Sequence, residues 1–173
     1  SNSVKILWRK KIDGPVLGEI QMVDLYKNNK FQLAFSTSER FYVLDRNGKE
    51  VAPFPIKPKK GITQPLAVFD YDDNRNYRFL LVQGNDLVMY NANGKEVKGF
   101  GFKKSKNSIT ASPKHIRIGR KDYILVPDAS GKLNILNRQG EIRVDVKDKI
   151  DFSENGWFEH KKSFVSTNVE GDF

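Results

Sequence analysis

The chain has no cysteine among its 173 residues. That excludes disulfide staples and thiolate metal sites, and leaves reducing and oxidising compartments equally open. Histidine is almost as scarce: His115 and His160 are the only two. Each falls in a stretch read as a first strand, without a cysteine or acidic partner at ligand spacing, so each reads as a strand histidine and not as a metal or catalytic group. No stretch approaches the roughly 20 apolar residues that a membrane-spanning helix needs. The N-terminus has no apolar segment of signal-peptide type. The opening Ser1-Asn2-Ser3 reads as the remnant of a cleaved tag, so a leader lost with it stays open. No glycine-rich phosphate loop precedes a helix, no serine sits in a nucleophile elbow, and no helical period stands out. The chain therefore reads as a non-enzyme with no cofactor and no metal.

What is present is a repeat. Phe31 to Gly48 (FQLAFSTSERFYVLDRNG), Tyr77 to Gly94 (YRFLLVQGNDLVMYNANG) and Tyr123 to Gly140 (YILVPDASGKLNILNRQG) share position classes, and their closing glycines are 46 residues apart. Phe31, Tyr77 and Tyr123 coincide, as do Phe41, Leu87 and Leu133, and then Trp8, Phe54 and Phe100. A fixed period of this length marks units that bury their apolar faces against their neighbours. Apolar residues make up 38% of the chain and fall in short alternating runs, the pattern of half-buried strands.

Each unit reads as four strands. In the first, Ile20 to Tyr26, Phe31 to Ser36, Phe41 to Asp45 and Lys49 to Phe54 are separated by polar links, with Asn47-Gly48 before the last. Asn-Gly predicts a two-residue type I′ hairpin turn. Asn93-Gly94 repeats it, and Gln139-Gly140 keeps the glycine. The expected fold class is all-β, a β-propeller-type array of four-stranded antiparallel blades. As one domain over residues 4–173, it would hold blades at about 16–56, 62–102 and 108–148. An outer strand over 4–12 would precede them, and a partial blade over 155–173 would follow. Lys162 and Gly171 align with Asp122 and Gly131. Two readings follow: a piece of a larger propeller, or a small ring closed by pairing the N-terminal strand with the C-terminal half-blade. An open array would expose edges able to pair with other chains. The larger-propeller reading is preferred, because a closing blade would lack its third strand.

The stretches LWRKKIDGPV (Leu7 to Val16), FYVLDRNGKEV (Phe41 to Val51), LVMYNANGKEV (Leu87 to Val97) and LNILNRQGEIRV (Leu133 to Val144) resemble PQQ-like, quinoprotein-type propeller repeats. In that family a "YALD" strand is followed by a Gly-Lys turn and a tryptophan-bearing outer strand. Here the tryptophan survives as Trp8, with Phe54, Phe100 and Val146 at the matching places. No acidic, metal-binding constellation of the family's enzymes maps onto the chain. The resemblance implies the non-enzymatic branch, whose propellers serve as interaction scaffolds, and leans toward a bacterial periplasm or envelope. The other reading is part of a larger envelope or polysaccharide-handling enzyme with its catalytic residues elsewhere.

Two polar patterns remain. Asp70, Asp72, Asn74 and Asn76 alternate as oxygen ligands do in Ca²⁺ loops. Arg75 stands where glycine is needed and no closing glutamate follows, so a turn capped by its own Asp and Asn side chains is the better reading. More telling, Lys11, Lys57, Lys103 and Lys149 recur every 46 residues, with Lys60 and Lys104 beside them, in a chain of net charge +9. Equivalent loops emerge on one face, so these six lysines form a candidate basic face for an acidic protein or an anionic polymer. Solubilising exposed loops is the competing role for the same lysines. Nucleic acid is disfavoured, because the aromatics sit at strand core positions and not among the basic loops as stacking platforms.

Overall fold

The computed structural model describes residues 4–172; the expected tag remnant, Ser1 to Ser3, and the end of the last partial unit, Phe173, lie outside them. Strands β1 (Leu17–Val23), β2 (Gln32–Ser36) and β3 (Phe41–Leu44) form an antiparallel meander. Strands β4 (Ala67–Phe69), β5 (Arg78–Gln83) and β6 (Asp86–Asn91) form a second. The third sheet has four strands in the order β10-β9-β8-β7, from β7 (Lys114–Ile118), β8 (Lys121–Pro127), β9 (Leu133–Leu136) and β10 (Ile142–Asp145). A hairpin of β11 (Phe158–His160) and β12 (Ser163–Val165) completes the array. The chain is all-β, and none of its described residues forms a helix long and apolar enough to cross a membrane.

Only the third unit has the expected fourth strand. In the first, the segment after Gly48 pairs through isolated bridges, Leu44 with Glu50 and Phe41 with Ile56, and turns between them with Phe54 N–H donating to Val51 O. Pro53 and Pro55 supply no N–H to a ladder there. Gly99 and Gly101 flank the same place in the second unit, where Phe100 N–H donates to Val97 O. Both phenylalanines are nevertheless buried, so the segment serves as an anchor and not as a strand. The corresponding run Ile142 to Val146 has neither proline nor glycine, and its first four residues form β10.

The turns also depart from expectation. Positive φ falls on Gly48 and not on Asn47, and likewise on Gly94 and not on Asn93. The link is a three-residue loop with a left-handed glycine, the other common hairpin solution. Its organiser is one residue further back: Asp45 Oδ1 accepts the N–H groups of Asn47 and Lys49, as Asn91 does for Asn93 and Lys95 and Asn137 for Gln139 and Glu141.

A one-residue slip enters at β8. Phe79 lies opposite Tyr90, whereas Ile124 lies opposite Leu136, so the third strands keep the 46-residue spacing while the second strands are 45 apart. The reason is the loop between them. Gly84-Asn85 joins β5 to β6, but Ala129-Ser130-Gly131 intervenes between the paired Asp128 and Lys132. Asp122, and not Tyr123, therefore takes the place of Phe31 and Tyr77. Because strand faces alternate, the slip turns each β8 side chain to the opposite side from that expected.

The core lies between sheets. One face of the first sheet, with Val23, Ala34 and Val43, packs against Leu66, Phe79 and Leu81 of the second unit. The reverse face of the second, with Phe69, Leu80 and Met89, meets Ile124, Val126 and Leu136. Ile116, Leu125 and Ile135 then face Phe164 of the hairpin. The expected N-terminal strand is not formed. Ile6 to Lys10 is irregular, yet Trp8 covers Phe35, Tyr42 and Leu44, and its Nε1–H donates to Arg46 O at 2.8 Å. No hydrogen bond among the described residues joins this segment to β11 or β12.

Candidate binding face

Two loops converge beside β6. The segment after the first unit is fixed by Lys60 N–H donating to Gln83 Oε1 at 2.9 Å. The segment after the second is fixed by Leu87 N–H donating to Lys103 O at 2.9 Å and by a bridge between Asp86 and Lys104. Between them runs a groove of about 450 Å³ with Lys57, Lys59, Lys60 and Lys103 on its walls and Pro58, Val88 and Tyr90 as apolar lining.

Its charge is only partly balanced. Lys60 pairs with Asp86, and Lys103 Nζ lies 3.8 Å from Glu96 and 3.3 Å from Val97 O. Exposed pairs of this kind contribute little, on the order of 0–1 kcal/mol. Four ammonium groups against two carboxylates leave a net positive channel. Burial, with Glu96 nearby, pushes the Tyr90 hydroxyl up, so it stays a neutral hydrogen-bonding group in the groove. An apolar lining with a cationic rim suits an extended anionic chain, whose charges meet the lysines while its backbone rests on the side chains between.

Of the six lysines expected on one face, Lys57, Lys60 and Lys103 line this groove and Lys104 adjoins it. Lys149 lies elsewhere, in a depression beside Gly131 that Asp128 and Asp151 also line. Lys11 is exposed on the N-terminal segment, outside the groove.

The alternating oxygens of the second unit are committed within the protein. Asp70 accepts the N–H groups of Asn74 and Arg75, Asn74 Oδ1 accepts Asn76 N–H, and Asn76 Oδ1 accepts Lys27 Nζ at 3.0 Å. Asp72 instead receives Arg138, with Nη2 at 2.6 Å.

Sequence reading missed one polar cluster altogether. Asp122 is buried, and it accepts Arg138 Nε at 2.5 Å while lying 2.8 Å from His115 Nε2. Burial acts to raise the Asp122 carboxyl, but the bonds from Arg138 and His115 outweigh it and hold it below the ordinary range. His115 packs edge-on to Tyr71, whose ring also carries the Arg138 guanidinium at 4.8 Å. His115 takes the place of Val68 once the slip in β8 is allowed for. The cluster thus replaces an apolar contact between the first two sheets with a charged one between the second and third. The missed signal was the loop length after β8, which decides that Asp122 and not Tyr123 faces inward. Among the described residues, no three histidine, aspartate or glutamate side chains gather as metal ligands. His160 lies exposed on β11.

Fold and groove together define an all-β protein of successively packed antiparallel sheets with a cationic groove beside the second. No family model matches the chain, and no curated protein matches it.

Proposed function

We propose that this chain is a non-catalytic interaction scaffold of propeller type, built from PQQ-like repeats, that binds an extended anionic partner along the Lys57–Lys103 groove. The blade reading is supported by the 46-residue period and by the packing of the second and third sheets, each with one face on the sheet before and one on the layer after. The observation that carries the binding role is the convergence of lysines from two successive linkers on one apolar-lined groove.

Retention on a heparin column, compared with a sulfonate cation exchanger, tests this. The native chain elutes at higher salt from heparin than its charge on the exchanger implies, and Lys57→Glu with Lys103→Glu removes that excess. Equal excess retention by a Lys5→Glu, Lys161→Glu control and the groove variant would show that net charge, and not the groove, is responsible.

A further inference from the structure

The repeat states what kind of surface each sheet face accepts. In the second sheet Val68 and Phe79 stand opposite each other and are covered by the preceding sheet; in the third, His115 and Ile124 hold those places. Their counterparts in the first sheet are Met22 and Leu33, also directly opposite. Met22 is 69% exposed, with Ile20 at 50% and Phe31 at 45% nearby. The N-terminal segment covers only the adjoining part of this face, over Phe35, Tyr42 and Leu44.

The opposite kind of face is bare at the other end of the array. Phe164 of the hairpin turns toward the third sheet, so Phe158 and Val165, which pair with each other, point away from it. Val165 holds the register position of Ala34, Leu80 and Leu125, the residues that meet the following layer at each interior contact. Phe158 is 64% exposed. One chain therefore displays both halves of the contact that it makes repeatedly inside itself.

We infer that the Met22–Leu33 face of the first sheet docks the Phe158–Val165 face of the hairpin from a second copy of this chain, head to tail. Such a contact is heterologous and propagates unless the rotation closes a ring. Apolar burial drives it, while the net charge of +9 and lysines on the turns of both partners, Lys27 and Lys30 on one and Lys161 and Lys162 on the other, oppose it. Added salt therefore strengthens the association, whereas it weakens a polyanion complex, which separates the two readings.

Sedimentation equilibrium over a concentration series tests it. The native chain gains mass with concentration, and more so at high salt. Met22→Glu and Phe158→Glu, both at exposed positions, each sediment as monomers, and their equimolar mixture recovers a 1:1 dimer through the one intact pair of faces. A native chain that stays at 19.9 kDa at millimolar concentration and high salt overturns the inference. So does a Phe158→Glu variant that still dimerises, or a mixture that remains monomeric.

Discussion

Arg75 of the second unit reaches back to Asp24 of the first: Nη1 lies 2.5 Å from Oδ2 of a carboxylate with no exposed side-chain surface. Asp24 also accepts the N–H groups of Asn28 and Asn29, and its own N–H donates to Tyr77 Oη. Asp70 holds the Arg75 N–H in the same manner as Asp24 holds that of Asn29. Each aspartate shapes its own turn, and the second turn then clamps the first. Asp72, with Arg138 and Arg117 on it, repeats the clamp toward the third sheet.

Acid should release these clamps. The bond from Arg138 is the main influence lowering Asp72; for Asp24, backbone N–H groups and Arg75 outweigh burial, which acts the other way. A depressed folded-state pKa adds stability that is fully present above the unfolded value of about 4 and is lost as pH falls through the folded value. Urea midpoints should therefore decline as pH drops below about 4, and Asp24→Asn should show a shallower decline from a lower starting midpoint. An unchanged acid limb in that variant would remove Asp24 from the account.

The cluster at Asp122 should be separable from those clamps. Asp122→Ala leaves Arg138 its bonds to Asp72 but strips His115 of its carboxylate, and should cost about 1–3 kcal/mol in chemical denaturation. A loss no larger than about 0.5 kcal/mol, the scale of an ordinary surface change, would mean that the cluster is incidental to stability.

Packing between the first two sheets centres on aromatic rings. Phe79 is fully buried, with its ring 4.8 Å from Phe41 and 6.1 Å from Phe54. Phe79→Ala should cost about 3–5 kcal/mol. Phe79→Leu should recover much of it, since the slot is defined by volume as well as ring geometry.

At Gly140 two units meet backbone to backbone. Its φ is 78°, and a Cβ there would lie 2.7 Å from the backbone nitrogens of Gly101 and Phe102. Gly84 has φ 71° but open space around it. Both alanine variants strain the backbone, by about 1 kcal/mol; Gly140→Ala must also push two units apart, so its loss should be clearly larger. Equal losses would mean that the contact yields without cost.

Much of this was legible in the residues. The 46-residue period and the alternating runs sufficed for antiparallel sheets, because strand pairing follows local alternation and turn residues. The missing fourth strands were also written there, in Pro53, Pro55, Gly99 and Gly101, whose effect on a ladder is local. The slip at β8 was not, since one extra loop residue preserves every glycine landmark while reversing the faces of one strand. For the same reason the Asp122 cluster, which depends on which side chains turn inward, stayed hidden. Three of the six lysines, Lys57, Lys60 and Lys103, share one groove, but equal spacing in sequence did not bring Lys11 or Lys149 to it.

Binding along the basic groove can be read from the salt dependence of heparin affinity. Log affinity of the native chain should fall linearly with log salt, and Lys57→Glu with Lys103→Glu should bind more weakly with a slope shallower by about two, one per lost lysine contact. Parallel slopes with unchanged affinity would contradict it.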